Sequence, residues 1–96
     1  MANLYELLYA LNPEGGDEAL QESTEAIKAM ISEQGSVEDE DIWGIKRLAY
    51  EIDDLTEAYY VLLHFKSEPD FPTEVERRLR INDKVIRYLV TKVDEK

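Results

Sequence analysis

The residues best suited to meet another molecule lie together in Trp43-Gly44-Ile45-Lys46-Arg47-Leu48-Ala49-Tyr50. This run sets the only tryptophan of the chain beside two adjacent cations, in a protein otherwise rich in acid. A strand sends successive side chains to opposite faces. Trp43, Ile45, Arg47 and Ala49 then share one face, and Gly44, Lys46, Leu48 and Tyr50 the other. Aromatic and cationic groups on both faces suit contact with something negative or planar better than packing alone. Arginine forks onto two phosphate oxygens, lysine offers a point charge, and an indole stacks on a base. The local alternatives are pairing of Lys46 and Arg47 with Glu51, Asp53 or Glu57 across a hairpin, and Trp43 capping one end of the core.

Arg87 interrupts the otherwise apolar Val85-Ile86-Arg87-Tyr88-Leu89-Val90. Alternation groups Ile86, Tyr88 and Val90 on one face and Val85, Arg87, Leu89 and Thr91 on the other. Arg87 then meets phosphate or a partner carboxylate, or pairs with Glu6 on a neighbouring strand. The cations Arg77, Arg78 and Arg80 stand close to Glu74 and Glu76, which makes a self-compensating helix surface the better reading. His64 is the only histidine. It has no neighbour in sequence to orient it as a base or to complete a metal site, and reads as a structural or interface residue. Asp39-Glu40-Asp41 point alternately to opposite faces of a strand and read as a solvated run. No catalytic residue and no metal ligand is assigned.

The elements that hold these residues follow from patterning. Leu4 to Leu11 is an apolar run with the character of a buried strand, stopped by Asn12-Pro13-Glu14-Gly15-Gly16. Asp17 opens a helix whose stripe is Leu20, Ile27 and Ile31, with Ala19, Ala26 and Met30 beside it, and Gly35 caps its end. Val37 to Ile52 is a long strand, Asp53 to Glu57 a turn, and Ala58 to Lys66 a second strand of an antiparallel hairpin. After the breakers Ser67 to Pro72, the four-residue spacing of Phe71, Val75 and Leu79 predicts a second amphipathic helix. Val85 to Val93 is the last strand. The order β-α-β-β-α-β with right-handed crossovers predicts an α+β, ferredoxin-like split βαβ fold. Its four-stranded antiparallel sheet carries both helices on one face. The other face stays open, and Leu8, Leu62 and Leu89 with Tyr60 form an apolar patch there for a partner protein.

Ninety-six residues, 44% of them hydrophobic, suffice for one domain spanning 1–96 with its own core. The chain has no cysteine, which excludes disulfides and thiolate metal sites and fits a reducing compartment. No run approaches a membrane span and no signal peptide is visible, so a cytoplasmic protein with no membrane association is expected. The net charge is −11, and it is unevenly placed. Met1 to Asp41 holds eleven acids against Lys28 alone, whereas from Ile42 onward ten bases face eleven acids. Acidic chains repel nucleic acid, so any such contact has to rest on a local patch in the second half.

Tyr5-Glu6, Leu11-Asn12-Pro13, Trp43-Gly44, Arg47-Leu48-Ala49-Tyr50, Tyr59-Tyr60-Val61-Leu62, Leu79-Arg80-Ile81-Asn82-Asp83 and Val85-Ile86-Arg87-Tyr88-Leu89-Val90 occur in this order. In that order and spacing the chain resembles the bacterial small-subunit ribosomal protein six (S-six) family almost from end to end. The resemblance implies a ferredoxin-like structural constituent of the ribosome without catalytic activity, cofactor or small-molecule substrate. It implies binding to 16S ribosomal RNA in its central domain, jointly with ribosomal protein eighteen. On that footing Lys46, Arg47, Tyr50, Arg87 and Trp43 are the candidate RNA contacts. Tyr60, Leu62, Leu89 and Leu8 are the candidate partner contacts, on a chain that is a monomer outside the ribosome.

Three positions depart from the family pattern. Glu51 stands where a proline usually follows the Leu-Ala-Tyr triplet, Asp53-Asp54 occupy a commonly lysine-rich hairpin, and Asn3-Leu4 replace a basic residue before Tyr5. These changes imply weaker RNA binding by the isolated chain and more dependence on its partner, or else adaptation to a high-salt cytoplasm. The alternative function is an acidic interaction module that takes a basic partner on the open sheet face without direct RNA contact. An acyl-phosphate-hydrolysing enzyme on the same fold is disfavoured. The first strand–helix turn, Asn12-Pro13-Glu14-Gly15-Gly16-Asp17, is acidic and offers no arginine to a phosphate.

Overall fold

Odd-numbered residues of two central strands, together with one stripe from each helix, make the core. In the computed structural model, which describes residues 2–52 and 55–93, side chains 49–52 excepted, the elements run β1 (Asn3–Leu11), α1 (Gly16–Ser32), β2 (Gly35–Ile52), β3 (Leu55–Ser67), α2 (Phe71–Arg80) and β4 (Val85–Lys92). The sheet is antiparallel throughout, in the order β2-β3-β1-β4. Tyr5, Leu7, Tyr9 and Leu11 of β1 and Val61, Leu63 and Phe65 of β3 are buried against Leu20, Ile27 and Ile31 of α1 and Phe71, Val75 and Leu79 of α2. Phe65 stacks on Tyr5 with centroids 5.5 Å apart and meets Phe71 edge-on at 6.4 Å. This is the β-α-β-β-α-β arrangement with both helices on one face that the patterning predicts.

Local chemistry explains the helix ends. Gly15 takes φ 100° before α1, and Asp17 and Glu18 sit in the first turn, where the exposed amides favour negative charge. Thr24 is buried with the apolar stripe and returns its hydroxyl to the Gln21 carbonyl at 2.9 Å. Pro72 occupies the first turn of α2, where its missing N–H costs nothing, and Arg77, Arg78 and Arg80 sit in the last turn.

Three local expectations are corrected. Gly35 is not a helix cap: α1 ends at Ser32 and Gly35 is the first residue of β2. Glycine is needed there because a Cβ would stand 2.7 Å from the Lys66 carbonyl oxygen. The hairpin is tighter than a turn from Asp53 to Glu57, because Ile52 pairs with Leu55 and β3 begins there. Asp53 and Asp54 themselves lie outside the described residues. Val85 joins the core side with Tyr88 and Val90, because a register shift pairs Arg87 with Ala10 but Val85 with Leu11.

Truncating the core and truncating the open face therefore have different costs. Leu63→Ala, at a fully buried position, is expected to lose about 2–5 kcal/mol of stability. Leu89→Ala, at 60% exposure, is expected to lose less than about 1 kcal/mol. Urea unfolding followed by tryptophan fluorescence measures both, and similar costs would contradict the one-sided burial.

Candidate nucleic-acid interface

The open face is organised in rows set by strand register. One row carries Gly44 of β2, Tyr60 of β3, Ala10 of β1 and Arg87 of β4. The next carries Asp41, Leu62, Leu8 and Leu89, and the next Asp39, His64, Glu6 and Thr91. The surface thus passes from aromatic and cationic, through aliphatic, to acidic within three steps along the strands.

The aromatic end depends on a bulge. Ile42 pairs with Val61 and Gly44 with Tyr60, so Trp43 is an extra residue in β2, and Gly44 takes φ 81°. The bulge overturns the simple alternation expected for this strand. Trp43 turns to the open face, where its ring lies 6.4 Å from that of Tyr60 and its Nε1–H donates to Asp41 Oδ2 at 3.1 Å. Beyond the bulge Lys46 stands opposite Ala58 and Arg47 opposite Glu57. Trp43, Lys46, Arg47 and Tyr60 surround a shallow hollow of about 330 Å³. Both cations are exposed, and neither enters an ion pair among the described residues. Trp43 is 42% exposed and does not cap the core.

The aliphatic row forms a second concavity of about 320 Å³, lined by Leu8, Ala10, Tyr60, Arg87 and Leu89 among others. Leu8 faces Leu62 on one side and Leu89 on the other. Three of the four expected partner contacts, Leu8, Tyr60 and Leu89, therefore line one hollow, with Leu62 the next side chain in the row. Arg87 is exposed on this face beside them. Tyr50 lies within β2, but its side chain is outside the described residues, as is that of Glu51. Asn3 donates its Nδ2–H to the Tyr5 hydroxyl at 3.3 Å.

At the acidic end His64 Nε2 lies 3.2 Å from Glu6 Oε1, and its Nδ1 lies 3.8 Å from Asp39 Oδ2. This cluster escaped sequence reasoning, because its members come from three strands and only the register joins them. Among the described residues no group of three or more His, Cys, Asp or Glu side chains is arranged to hold a metal ion. Beneath β2, burial and then the nearby Glu40, Tyr59 and Glu25 push the Tyr9 phenol up, so it stays protonated.

Two of the three arginines of α2, Arg77 and Arg78, are compensated as expected. Arg77 donates two hydrogen bonds to Glu74, both 2.8 Å, and Arg78 reaches Glu74 at 2.7 Å and Glu33 at 3.2 Å. Neither of these two is a free phosphate contact.

An α+β ferredoxin-like fold with one uncovered sheet face is the class this geometry defines. The crystal structure of 30S ribosomal protein S6 from Thermotoga maritima has the same fold. Its TM-score is 0.91 at 23% identity, covering 97% of this chain and 89% of that one. The family model of ribosomal protein S6 matches residues 4–92. Small ribosomal subunit protein bS6 of Alkaliphilus metalliredigens is 43% identical over 93 residues, covering 97% of this chain and 99% of the relative. That of Carboxydothermus hydrogenoformans is 41% identical over 96 residues, covering 99% and 100%. The chain belongs to the ribosomal protein S6 family. Its role is accordingly structural and non-enzymatic, within the small ribosomal subunit and hence in the cytoplasm.

The ion triad on α2 makes a pH prediction. Hydrogen bonds from Arg77 and then Arg78 hold the Glu74 carboxyl at about 2 against an ordinary 4.5. Because the folded value is the lower one, its contribution to stability is complete above 4.5 and lost as pH falls through about 2. The side chains remain in contact with water, so screening keeps that contribution small. Glu74→Gln should make the stability profile shallower between pH 4.5 and about 2, as measured by urea unfolding at stepped pH. Parallel profiles for parent and variant would show that the triad adds nothing.

Proposed function

We propose that this chain binds 16S ribosomal RNA in its central domain, jointly with ribosomal protein eighteen, as one domain that is monomeric before assembly. Lys46 and Arg47 contact phosphate, Trp43 stacks on an exposed base, and Tyr50 and Arg87 extend the footprint along the sheet. Leu8, Leu62, Leu89 and Tyr60 receive an apolar side chain of the partner protein. The observation that carries this reading is the pair of exposed cations beside the Trp43–Tyr60 contact, without an ion pair among the described residues. A net charge of −11 opposes self-association and weakens binding of the isolated chain to RNA. The partner's own contacts then supply what the cationic patch lacks.

The second reading, an acidic module that takes a basic partner without touching RNA, draws on the Glu6, Asp39 and Asp41 end of the same face. The two differ at the opposite end of the sheet. Lys46→Glu with Arg47→Glu should weaken joint assembly with 16S RNA and protein eighteen. It should also reduce the salt dependence of that assembly by about two phosphate contacts' worth of slope. Filter binding across a salt series measures this. Unchanged affinity and slope would remove these two residues from the RNA interface and favour the second reading.

A further inference from the structure

The bulge at Trp43 has an effect on the other side of the sheet. By adding one residue to β2, it turns Ile42 and Ile45, three positions apart, to the same, helix-bearing face, opposite Val61 and Tyr59. Neither is covered by a helix: Ile42 is 51% exposed and Ile45 48%. Ile42 and Tyr59, with Leu20 of α1, form the apolar part of a groove of about 300 Å³ between α1 and β2. Asp17, Glu25 and Glu40 line it as well. The one cation in its wall, Lys28, is held by Glu25 at 3.2 Å and Glu40 at 3.3 Å, so it does not offset the remaining acid.

We propose that this groove is a second docking site, for an extended, positively charged polypeptide segment that carries an aliphatic or aromatic anchor. The anchor covers Ile42, Ile45 and Tyr59, and the flanking cations meet the carboxylates of α1 and β2. Charge complementarity selects this occupant. The segment from Met1 to Asp41 supplies most of the groove wall and carries eleven acids against one base. That excess repels RNA and a second copy of this chain alike. A small polyamine would satisfy the charge and leave the isoleucines exposed. The proposed RNA contacts make no use of this acid, so the proposal stands whether or not that reading does.

Isotope-labelled full-length protein would be titrated with three probes, followed by amide chemical shifts. The probes are a synthetic peptide of alternating lysine and leucine with a central tryptophan, the same peptide with serine at every apolar position, and spermidine. The first peptide should shift amides of α1 and of β2 around Ile42 and Ile45, and its affinity should fall with salt. Its affinity should drop about tenfold or more in Ile42→Ser, from loss of one buried aliphatic contact. It should weaken also in Gln21→Lys, which sets a cation in the groove wall at an exposed helix position. Lys46→Glu with Arg47→Glu should leave it intact or strengthen it. Equal binding of the serine peptide or of spermidine would reduce the site to unspecific charge attraction and overturn the proposal. So would shifts confined to the open sheet face, or indifference to both groove variants.

Discussion

One-sided burial governs the rest of this structure. Two helices cover one face of a four-stranded sheet, so every second residue of β1 and β3 is committed to the core and its neighbours to the other side. The committed set is large and apolar, with Leu7, Tyr9, Leu11, Val61, Leu63 and Phe65 fully buried. A one-residue slip of either strand would send all of these to water, which pins the register firmly. Once it is pinned, the side chains left over are brought into rows that nothing in the local sequence specifies. Tyr60, Ala10 and Arg87 become neighbours, as do Leu62, Leu8 and Leu89. The open face is therefore a by-product of core packing in its geometry, and its chemistry is free to serve binding.

The edge strand β2 is where that rule is relaxed. It pairs only with β3, and its ladder shifts register between Val37 and Asp39, between Ile42 and Gly44, and between Arg47 and Ile52. Edge strands tolerate such irregularity because they bury less, and bulges there blunt the free edge against pairing with other chains. The run Glu38-Asp39-Glu40-Asp41 adds charge to the same end. The middle shift changes the most faces. It gives the open face Trp43 with Lys46 and the helix face Ile42 with Ile45, two pairs that strict alternation would have split.

Much of this was legible in the sequence. The four-residue spacing of Phe71, Val75 and Leu79 identified α2, the apolar run from Leu4 to Leu11 identified β1, and the order of elements led to the fold and the family. The acid beside Arg77 and Arg78 announced their pairing. The misreadings share a physical cause, the departure of the backbone from ideal repeats. Alternation assigned Trp43 to the face of Ile45, although a glycine inside a strand pattern, Gly44, is itself a bulge signal. Alternation groups Val85 with Arg87, whereas the shift between Ala10 and Leu11 turns Val85 to the core side. Gly35 reads as a cap in the sequence, because the close approach of the Lys66 carbonyl depends on where another strand lies. The His64–Glu6 contact joins residues 58 apart in the chain, and only the folded register brings them within reach.

On the reading proposed above, a net charge of −11 opposes RNA contact only if charge is summed over the whole molecule. The protein is 41 Å in its longest dimension, whereas screening at physiological salt acts over about 8 Å. On that reading a phosphate at Lys46 and Arg47 responds chiefly to charges within about that distance. Asp41, the nearest acid before them on the strand, is five residues from Lys46, about 16 Å along an extended backbone. Its carboxylate also accepts the Trp43 indole N–H. On the proposed reading the acid of α1 decides orientation, while Lys46 and Arg47 act against the local acid as well, Glu57 standing opposite Arg47. Lower ionic strength lengthens the reach of the acid and the cations together, and the acid is in excess. Added salt has two opposed effects on such a protein, weakening the phosphate contacts while relieving the repulsion behind them. The acids Glu51, Asp53 and Asp54 shift that balance further toward the acid, and on the proposed reading contact at this end of the sheet rests on Lys46 and Arg47.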